Sequence, residues 1–265
     1  MKKIKFLLAL WIGKIIVILT KVLSKERGTN VPGVWAFKIS KDFISNFSNV
    51  DYNKVIFITG TNGKSTTNNM IVHCMRSSGK TVCTNLEGAN LLTGIATAMI
   101  KFSSILGKMK TEYMVFETDE RFLKYIYELL PAKNICITNI QKDQVQRNGE
   151  PDFIYQKIKN VVKNNVTIYV NNQEPRSKSF EDFAANTIYY GVEKNSNSYE
   201  KNGKFDVTMP CPKCNGKIKF DFYNVDNIGD FKCVECGYKS EENIEFLAKN
   251  IDFENKTFEC MRKYI

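Results

Sequence analysis

The chain has 265 residues, of which 43% are hydrophobic, so it can bury a sizeable core, and this composition excludes an intrinsically disordered protein. Its 38 Lys and Arg residues outnumber 28 Asp and Glu residues, and the net charge of +10 favours polyanionic partners such as nucleotides, nucleic acid or anionic lipid. A general lysine bias of the source proteome explains the same charge equally well, because the basic residues are scattered.

The first predicted element is an apolar segment, Phe6 to Leu23, that lysines interrupt. At about 100° per residue, Lys3, Lys14, Lys21 and Lys25 fall within about 40° of one another around a helix. A lysine near the middle makes a spanning helix costly, so membrane-surface contact with the lysines toward lipid headgroups is one interpretation. Packing of the helix on the rest of the fold is the other, and the sequence does not separate them.

A second helical pattern runs from Val34 to Phe47, after a turn-rich connection that contains Gly28, Pro32 and Gly33. We therefore predict that residues 1–50 form an N-terminal helical segment and that residues 51–265 form a separate domain.

The most informative motif is VIFITGTNGKSTTNN, from Val55 to Asn69. A β-branched and aromatic strand precedes two glycines, Gly60 and Gly63, which let backbone amides approach phosphate oxygens. Lys64 then supplies charge to the terminal phosphates, and Ser65 at the helix start offers a hydroxyl to Mg²⁺. The motif predicts a nucleotide-binding loop.

This loop departs from the general pattern G-x-x-x-x-G-K-[ST], because Ile58 stands where the first glycine is expected. A glycine turn that precedes Lys-Ser by coincidence is the alternative interpretation. The following helix carries the only histidine, His73, which we interpret as a packing residue, so catalysis must rest on carboxylates, lysine and metal.

From residue 51 onward, short apolar runs alternate with helical periods, which predicts an α/β fold with a doubly wound, mostly parallel sheet. The predicted strands are Val55–Thr59, Thr81–Thr84, Tyr113–Glu117, Asn134–Thr138, Val166–Val170 and Thr187–Tyr190. The predicted helices are Lys64–Ser78, Thr93–Phe102, Asp119–Leu130 and Asp152–Asn164.

Ligands of such sheets lie beyond the carboxyl ends of the strands, where this chain places acidic and polar residues. Glu117 ends one strand and is followed by Asp119 and Glu120, close to the expected position of Mg²⁺ on a bound triphosphate. Acids that complement a helix dipole are the alternative, and they explain Asp119 and Glu120 better than Glu117. Asn139 and Asp143 follow the next strand and are predicted to line the site.

Four cysteines form two C-x₂-C pairs, Cys211 with Cys214 and Cys233 with Cys236. This spacing predicts a zinc ribbon at about residues 205–240, in which four thiolates hold a structural Zn²⁺ and leave no position for a reactive water. Eight cysteines without a secretory cleavage pattern also indicate a reducing compartment. The remaining four have no partner at a useful spacing, and we interpret them as core or incidental residues.

Together these motifs resemble the Mur ligase family of peptidoglycan synthesis and, within it, the MurT branch. The loop GTNGKSTT is similar to the Mur variant of the phosphate loop, which accounts for the missing glycine. Four further stretches agree with that branch, namely GTNVPGVWAFKIS, TNLEGANLLTG, ETDE and TNIQKDQVQRNGE. The cysteine ribbon separates it from folylpolyglutamate synthases and from most other Mur ligases.

The resemblance implies an ATP-dependent ligase that amidates the D-isoglutamate α-carboxylate of the lipid II stem peptide to D-isoglutamine through an acyl-phosphate. It implies ATP, Mg²⁺ and Zn²⁺ as cofactors, a GatD-type glutaminase that supplies ammonia, no nucleic acid, and a cytoplasmic location near the inner face of the membrane. Its implied site residues are Gly60, Thr61, Asn62, Gly63, Lys64, Ser65, Thr66 and Asn139 for ATP, Ser65 and Glu117 for Mg²⁺, and Lys64, Glu117 and Asp143 for catalysis.

Two departures from the family pattern accompany the resemblance. Where the family usually reads D-Q-x-D-R, the second acid is replaced by Gln146. The resemblance also covers almost the whole chain yet stops within the family's plan, so we expect a C-terminally truncated polypeptide, which raises a non-catalytic ATP-binding fragment as one alternative function. A nucleic-acid-dependent ATPase with a zinc ribbon is the other.

Overall fold

The computed structural model describes residues 2–23, 30–85, 89–141, 151–200 and 209–262. The helices are α1 (Lys2–Leu23), α2 (Val31–Ile39), α3 (Lys64–Ser77), α4 (Leu92–Phe102), α5 (Leu123–Leu129), α6 (Pro151–Val162) and α7 (Pro175–Lys178). The strands are β1 (Val55–Thr59), β2 (Val82–Thr84), β3 (Tyr113–Glu117), β4 (Asn134–Ile137), β5 (Thr167–Asn171), β6 (Asn186–Val192), β7 (Ile218–Phe220), β8 (Phe231–Cys233), β9 (Phe246–Asp252) and β10 (Thr257–Arg262).

Eight of these strands form one sheet in the order β10-β9-β6-β5-β4-β1-β3-β2. All neighbours pair in parallel except β9 and β10, which form an antiparallel pair at one edge. From β1 the chain first winds toward β2 and then returns past β1 to β4, so the direction of winding reverses beside β1. The predicted fold class, a doubly wound and mostly parallel sheet, is confirmed.

The strands at the centre of the sheet are apolar on both faces, as a sheet covered by helices on both sides requires. Side chains alternate along β1, so that Val55 and Phe57 belong to one hydrophobic cluster and Ile58 to another. The larger cluster includes residues of α1, α2, α4, α5 and α6, whereas the smaller one includes Val72 of α3. This packing fixes β1 and therefore the position of the loop that follows it.

Two helix predictions are wrong at their boundaries. The second helix begins at Val31, since Pro32 occupies the first turn, where proline is tolerated. It ends at Ile39, because Ser40 is extended, and Phe43–Asn46 form a separate 3₁₀ helix. Gly33 of α2 lies so close to α4 that a Cβ would reach within 3.0 Å of the Thr93 Cα atom and closer still to its carbonyl. The helix predicted from Asp119 begins only at Leu123, since residues 118–122 form the turn that carries the acidic residues.

The N-terminal helix α1 packs one face onto the fold through Phe6, Ala9 and Leu10, which are buried. The side chain of Lys14 turns inward, and its Nζ donates hydrogen bonds to the carbonyl oxygens of Ile100 and Ser103, both at 2.8 Å. The prediction that a lysine stripe faces lipid headgroups is therefore wrong for Lys14, and packing of this face on the fold is confirmed. Among the described residues, no helix is long and apolar enough to cross a membrane.

The cysteine-rich segment forms a small lobe around the antiparallel pair of β7 and β8. Several contacts attach this lobe to the segment that follows β5. Gln173 donates through Nε2 to Asp230 (3.0 Å) and accepts through its carbonyl from the Gly229 amide (3.0 Å). The hydroxyl of Tyr238 donates to the Pro175 carbonyl (2.8 Å), and Lys213 pairs with Glu181 (2.8 Å).

Candidate functional site

The loop after β1 lies at the carboxyl edge of the sheet, beside the point where the winding reverses. Gly60 has φ +123°, and a Cβ there would lie 2.7 Å from the Asn139 carbonyl oxygen and closer to the Thr138 hydroxyl. Gly63 has φ +80° and caps α3, with open space where its Cβ would be. Glycine is thus needed once for close packing and once for a left-handed turn that keeps the loop open.

Residues that follow β4 hold this loop in place. The Asn62 amide donates to Asn139 Oδ1 (3.1 Å), and Asn139 Nδ2 donates back to the Asn62 carbonyl (3.0 Å). The Thr61 amide donates to the Asn139 carbonyl (2.8 Å), and the Gln141 amide donates to the Thr61 hydroxyl (3.1 Å). The Thr138 hydroxyl also donates to the Asn62 carbonyl (2.8 Å). The loop is therefore preorganised by hydrogen bonds rather than by its own sequence alone.

The first turn of α3 offers donors to an anion. Its first backbone hydrogen bond runs from the Thr67 amide to the Gly63 carbonyl, so the amides of Lys64, Ser65 and Thr66 have no partner inside the helix. Ser65 and Thr66 are exposed. Together with the helix dipole, this arrangement fits a phosphate group.

Lys64 is turned back onto the loop. Its Nζ donates to the carbonyl oxygens of Gly60 (2.5 Å) and Thr61 (2.8 Å) and lies 3.2 Å from Glu120 Oε2. Burial raises the pKa of Glu120 above its usual value, and the charge of Lys64 partly opposes this shift. The Lys64 side chain is 14% exposed and that of Glu120 is 3% exposed, so the pair is shielded from water next to the open amides of α3.

The predicted carboxylate cluster is present after β3, and its members differ in their partners. Glu117 is buried, and Asn85 binds its backbone on both sides, with Oδ1 accepting from the Glu117 amide (3.0 Å) and Nδ2 donating to its carbonyl (2.8 Å). Burial raises the pKa of Asp119, but hydrogen bonds from Arg121 outweigh burial and hold the pKa below its usual value. Helix dipoles do not explain these acids, because α5 has no acidic residue in its first turn.

The structure therefore brings Lys64, Ser65, Glu117 and Asn139 to one edge of the sheet, as predicted. Asp143 and Gln146 lie outside the described residues. Sequence reasoning missed the roles of Asn85, which fixes the backbone of Glu117, and of Glu120, which pairs with Lys64. Side-chain amides that bind distant backbone have no signal in the local sequence.

Two further buried polar groups lie beside the loop. Within the described part of the chain, the Thr59 hydroxyl and the Gln141 side-chain NH₂ have no hydrogen-bond partner. Buried polar atoms are normally paired, and such exceptions call for water or a ligand. The donors present fit a nucleotide phosphate, and the Ser65 hydroxyl and the Glu117 carboxylate are oxygen ligands of the kind that Mg²⁺ binds.

We expect Asn139→Ala to weaken nucleotide binding by about tenfold, because the Asn62 amide and carbonyl lose both partners and the loop loses its preorganisation. Isothermal titration calorimetry with Mg·ATP measures this change. Asn164→Ala is the matched control, because the described side-chain hydrogen bonds of Asn164 are to the carbonyls of Asn160 and Val161 in α6. Unchanged affinity in Asn139→Ala would show that the hydrogen bonds between Asn139 and Asn62 do not support the loop.

The four ribbon cysteines converge as predicted. Their sulfur atoms all lie within 4.8 Å of one another, with 3.7 Å between Cys211 and Cys236 and 3.6 Å between Cys214 and Cys233. Zinc–sulfur bonds of about 2.3 Å in a regular tetrahedron put the sulfurs about 3.8 Å apart. The sulfur arrangement therefore fits a four-coordinate zinc ion.

The other predictions for isolated residues have mixed outcomes. Cys83 and Cys136 are buried, whereas Cys74 and Cys260 are exposed. His73 is exposed on α3, so its interpretation as a packing residue is wrong.

Comparison with known proteins gives one family match and several similar chains. The model of the Mur ligase middle domain matches residues 58–228, which is more than half of the chain. The MurT subunit of lipid II isoglutaminyl synthase (glutamine-hydrolyzing) from Staphylococcus aureus strain COL is 29% identical over 218 residues, covering 82% of this chain and 48% of that protein. The corresponding subunit from Streptococcus pneumoniae strain ATCC BAA-255 / R6 is 29% identical over 238 residues, covering 88% and 52%.

A solved structure shares the fold. The pseudomurein peptide ligase type C from Methanothermus fervidus superposes with a TM-score of 0.62 at 21% identity, over 84% of this chain and 44% of that one. The chain therefore spans about half the length of the curated relatives and of the solved structure that it matches.

Proposed function

The chain belongs to the Mur ligase family, and from this membership we propose that it is the ATP-dependent subunit of a ligase that amidates a carboxylate of lipid II. The reaction is conversion of the D-isoglutamate α-carboxylate of the stem peptide to D-isoglutamine. The names of the curated relatives, subunits of lipid II isoglutaminyl synthase, support this substrate. The observation that carries the proposal is the preorganised loop with its open amides. It lies opposite buried carboxylates, at the point where the winding of the sheet reverses.

The loop binds and positions the phosphates of ATP in this proposal. The amides of Gly63 to Thr66 bind the phosphates of ATP, and Lys64 exchanges its contacts with Gly60, Thr61 and Glu120 for the terminal phosphate. Lys64 then neutralises charge on the phosphoryl group as it passes to the substrate carboxylate and forms an acyl-phosphate. Because the loop is fixed beforehand, positioning costs little during the reaction.

Ser65 and Glu117 are proposed to hold Mg²⁺, and Asn85 keeps the Glu117 backbone in place. When bound, Mg²⁺ offsets the negative charge that collects between the phosphates. Asp143 is proposed to act at the same site.

Ammonia attacks the acyl-phosphate carbonyl, and the phosphate leaves, so that an amide replaces the carboxylate. We propose that a GatD-type glutaminase supplies this ammonia and that the reaction takes place on the cytoplasmic side of the membrane, where ATP is available. The words "glutamine-hydrolyzing" in the names of the relatives support the partnership.

We also propose that residues 1–50 form a helical segment attached to a central ATP-binding domain of residues 51–265, with the ribbon as an insertion at about residues 205–240. The pairing of β9 supports the insertion, since the chain leaves the sheet after β6, forms the lobe, and returns to pair β9 with β6.

The test supplies the purified chain with lipid II, Mg·ATP and ammonium chloride, which replaces the glutaminase. We expect ADP release together with the mass change of acid to amide in the stem peptide, whereas Mg·ATP binding without either would favour a non-catalytic ATP-binding fragment. A second reaction with glutamine and the glutaminase in place of ammonium tests the partnership separately. ATP hydrolysis that requires single-stranded DNA, without amidation under either condition, would contradict the ligase and favour a nucleic-acid-dependent ATPase.

A further inference from the structure

The side of α1 that faces away from the fold is a continuous apolar surface. Six large side chains lie within an arc of about 100° around the helix, opposite the buried face. They are Ile4, Leu8, Trp11, Ile15, Ile18 and Leu19, and they are between 47% and 72% exposed. From the first to the last, this surface is about 22 Å long.

A rigid turn extends this surface. Ile105 and Leu106 are each 68% exposed at the tip of a turn in which the Gly107 amide donates to the Ser104 carbonyl (3.1 Å). The Ser104 hydroxyl also accepts from the amides of Leu106 (3.3 Å) and Lys108 (3.0 Å). The turn therefore holds two apolar side chains in water without covering them.

The turn and α1 adjoin directly. The indole N–H of Trp11 donates to the Ile105 carbonyl (2.8 Å), so the only polar atom among the exposed apolar side chains is already paired. On the inner side, a Cβ at Gly107 would lie 2.5 Å from the Phe6 ring, which shows how closely the turn packs on the helix. We call the six α1 side chains with Ile105 and Leu106 the apolar face.

The charges that α1 and the turn themselves carry are all positive. Helix α1 contains lysines and no acidic residue, and the segment 103–110 contains Lys108 and Lys110, both exposed, and no acid. Two copies of this surface would bring like charges together, which disfavours self-association. An anionic bilayer instead satisfies both features, since hydrocarbon accepts the apolar side chains, lysines meet headgroup phosphates, and tryptophan favours the interface.

We propose that the apolar face docks α1 lengthwise on a bilayer surface that contains anionic lipid. The inference does not rest on the proposed ligase activity, because it uses only the composition and packing of α1 and the turn. It differs from the lysine-stripe arrangement predicted from the sequence, since Lys14 binds backbone carbonyls and the membrane-facing residues are apolar.

The experiment uses the full chain with vesicles of phosphatidylglycerol and phosphatidylcholine, and with vesicles of phosphatidylcholine alone. Trp35→Phe leaves Trp11 as the only tryptophan, so its emission reports contact directly. We expect co-sedimentation with the anionic vesicles, a blue shift of Trp11 emission, and weaker binding to the neutral ones.

Ile15→Asp with Ile18→Asp should weaken binding by about tenfold or more, because two apolar anchors become charged. Ile105→Asp with Leu106→Asp should do the same, and provides a second variant if the first does not fold. Phe253→Asp with Phe258→Asp, at exposed positions of the β9–β10 hairpin, is the matched control and should bind like the unsubstituted chain.

No binding to the anionic vesicles, or equal binding by the α1 variant and the hairpin control, would overturn the proposal. So would a dimer in sedimentation that the Ile15 and Ile18 substitutions dissociate, because a second copy would then be the occupant of the apolar face.

Discussion

Lys64→Ala is expected to weaken Mg·ATP binding by about 100-fold or more, because hydrogen bonds to charged groups contribute about 1.5–3 kcal/mol each and Lys64 is predicted to make more than one to the phosphates. The open amides of the loop remain in the variant, so residual weak binding is expected rather than none. Calorimetric titration measures the affinity, and Lys80→Ala, at an exposed position after α3, is the matched control.

Lys64→Ala also leaves Glu120 without its positive partner in a shielded position, which by itself could disturb the loop. The double variant Lys64→Ala/Glu120→Gln separates the two effects, since it removes the unpaired charge. We expect the double variant to bind ATP as weakly as Lys64→Ala. Restored affinity in the double variant would show that Lys64 acts on Glu120 and not on the phosphates.

The parts of the site that sequence reasoning predicted are those with a local signal. The strand before the loop is a run of β-branched and aromatic residues, and β1 and β3 begin and end where predicted. Glycine, lysine and serine then occupy fixed positions relative to that strand. Because parallel strands end at one edge, Glu117 and Asn139 were predicted to reach the loop without knowledge of any contact.

The parts that were missed depend on contacts between distant segments. Asn85 and Glu117 are 32 residues apart, and Asn62 and Asn139 are 77 apart. Asn139 was predicted to line the nucleotide site, yet the structure shows its side chain binding the loop backbone. The helix-dipole alternative for Glu120 is wrong, because the turn before α5 places this residue beside Lys64.

The orientation of α1 was missed for a related reason. Helical spacing shows which residues share a side, but two sides of α1 are apolar and only packing decides which one is buried. Lys14 lies between these two sides, and its orientation depends on which of them is buried. In the structure its side chain points toward the carbonyls at the end of α4. A periodic pattern alone does not contain this information.

Cys211→Ser is the second substitution with a large expected effect, on metal content and on stability. We expect one equivalent of zinc per chain in the unsubstituted protein and a loss of that zinc in the variant, measured by metal analysis. Cys74→Ser, at an exposed position on α3, is the matched control and should retain the metal. Absence of zinc from the unsubstituted protein would remove the ribbon hypothesis.

The physical reason lies in the size of the lobe. Its hydrophobic cluster consists of Cys211, Ile218, Phe231, Cys233 and Tyr238, so two of its five buried members are proposed metal ligands. A core this small does not hold a fold without a cross-link or a metal, and structural zinc contributes on the order of 10 kcal/mol. Since whole domains are stable by only about 5–15 kcal/mol, metal loss should unfold the lobe.

Unfolding of the lobe should destabilise the adjoining part of the sheet but leave the nucleotide loop folded. Lys213 and Tyr238 contact Glu181 and the Pro175 carbonyl, next to the buried Lys178, so these partners lose their contacts when the lobe unfolds. The loop is held by Asn139, and the segment after β4 is linked to this region by one described hydrogen bond, from the Ile140 amide to Glu174 (3.1 Å). Cys211→Ser should therefore lower the unfolding temperature while ATP affinity falls less than in Lys64→Ala; equal losses of affinity would show that the ribbon supports the nucleotide site directly.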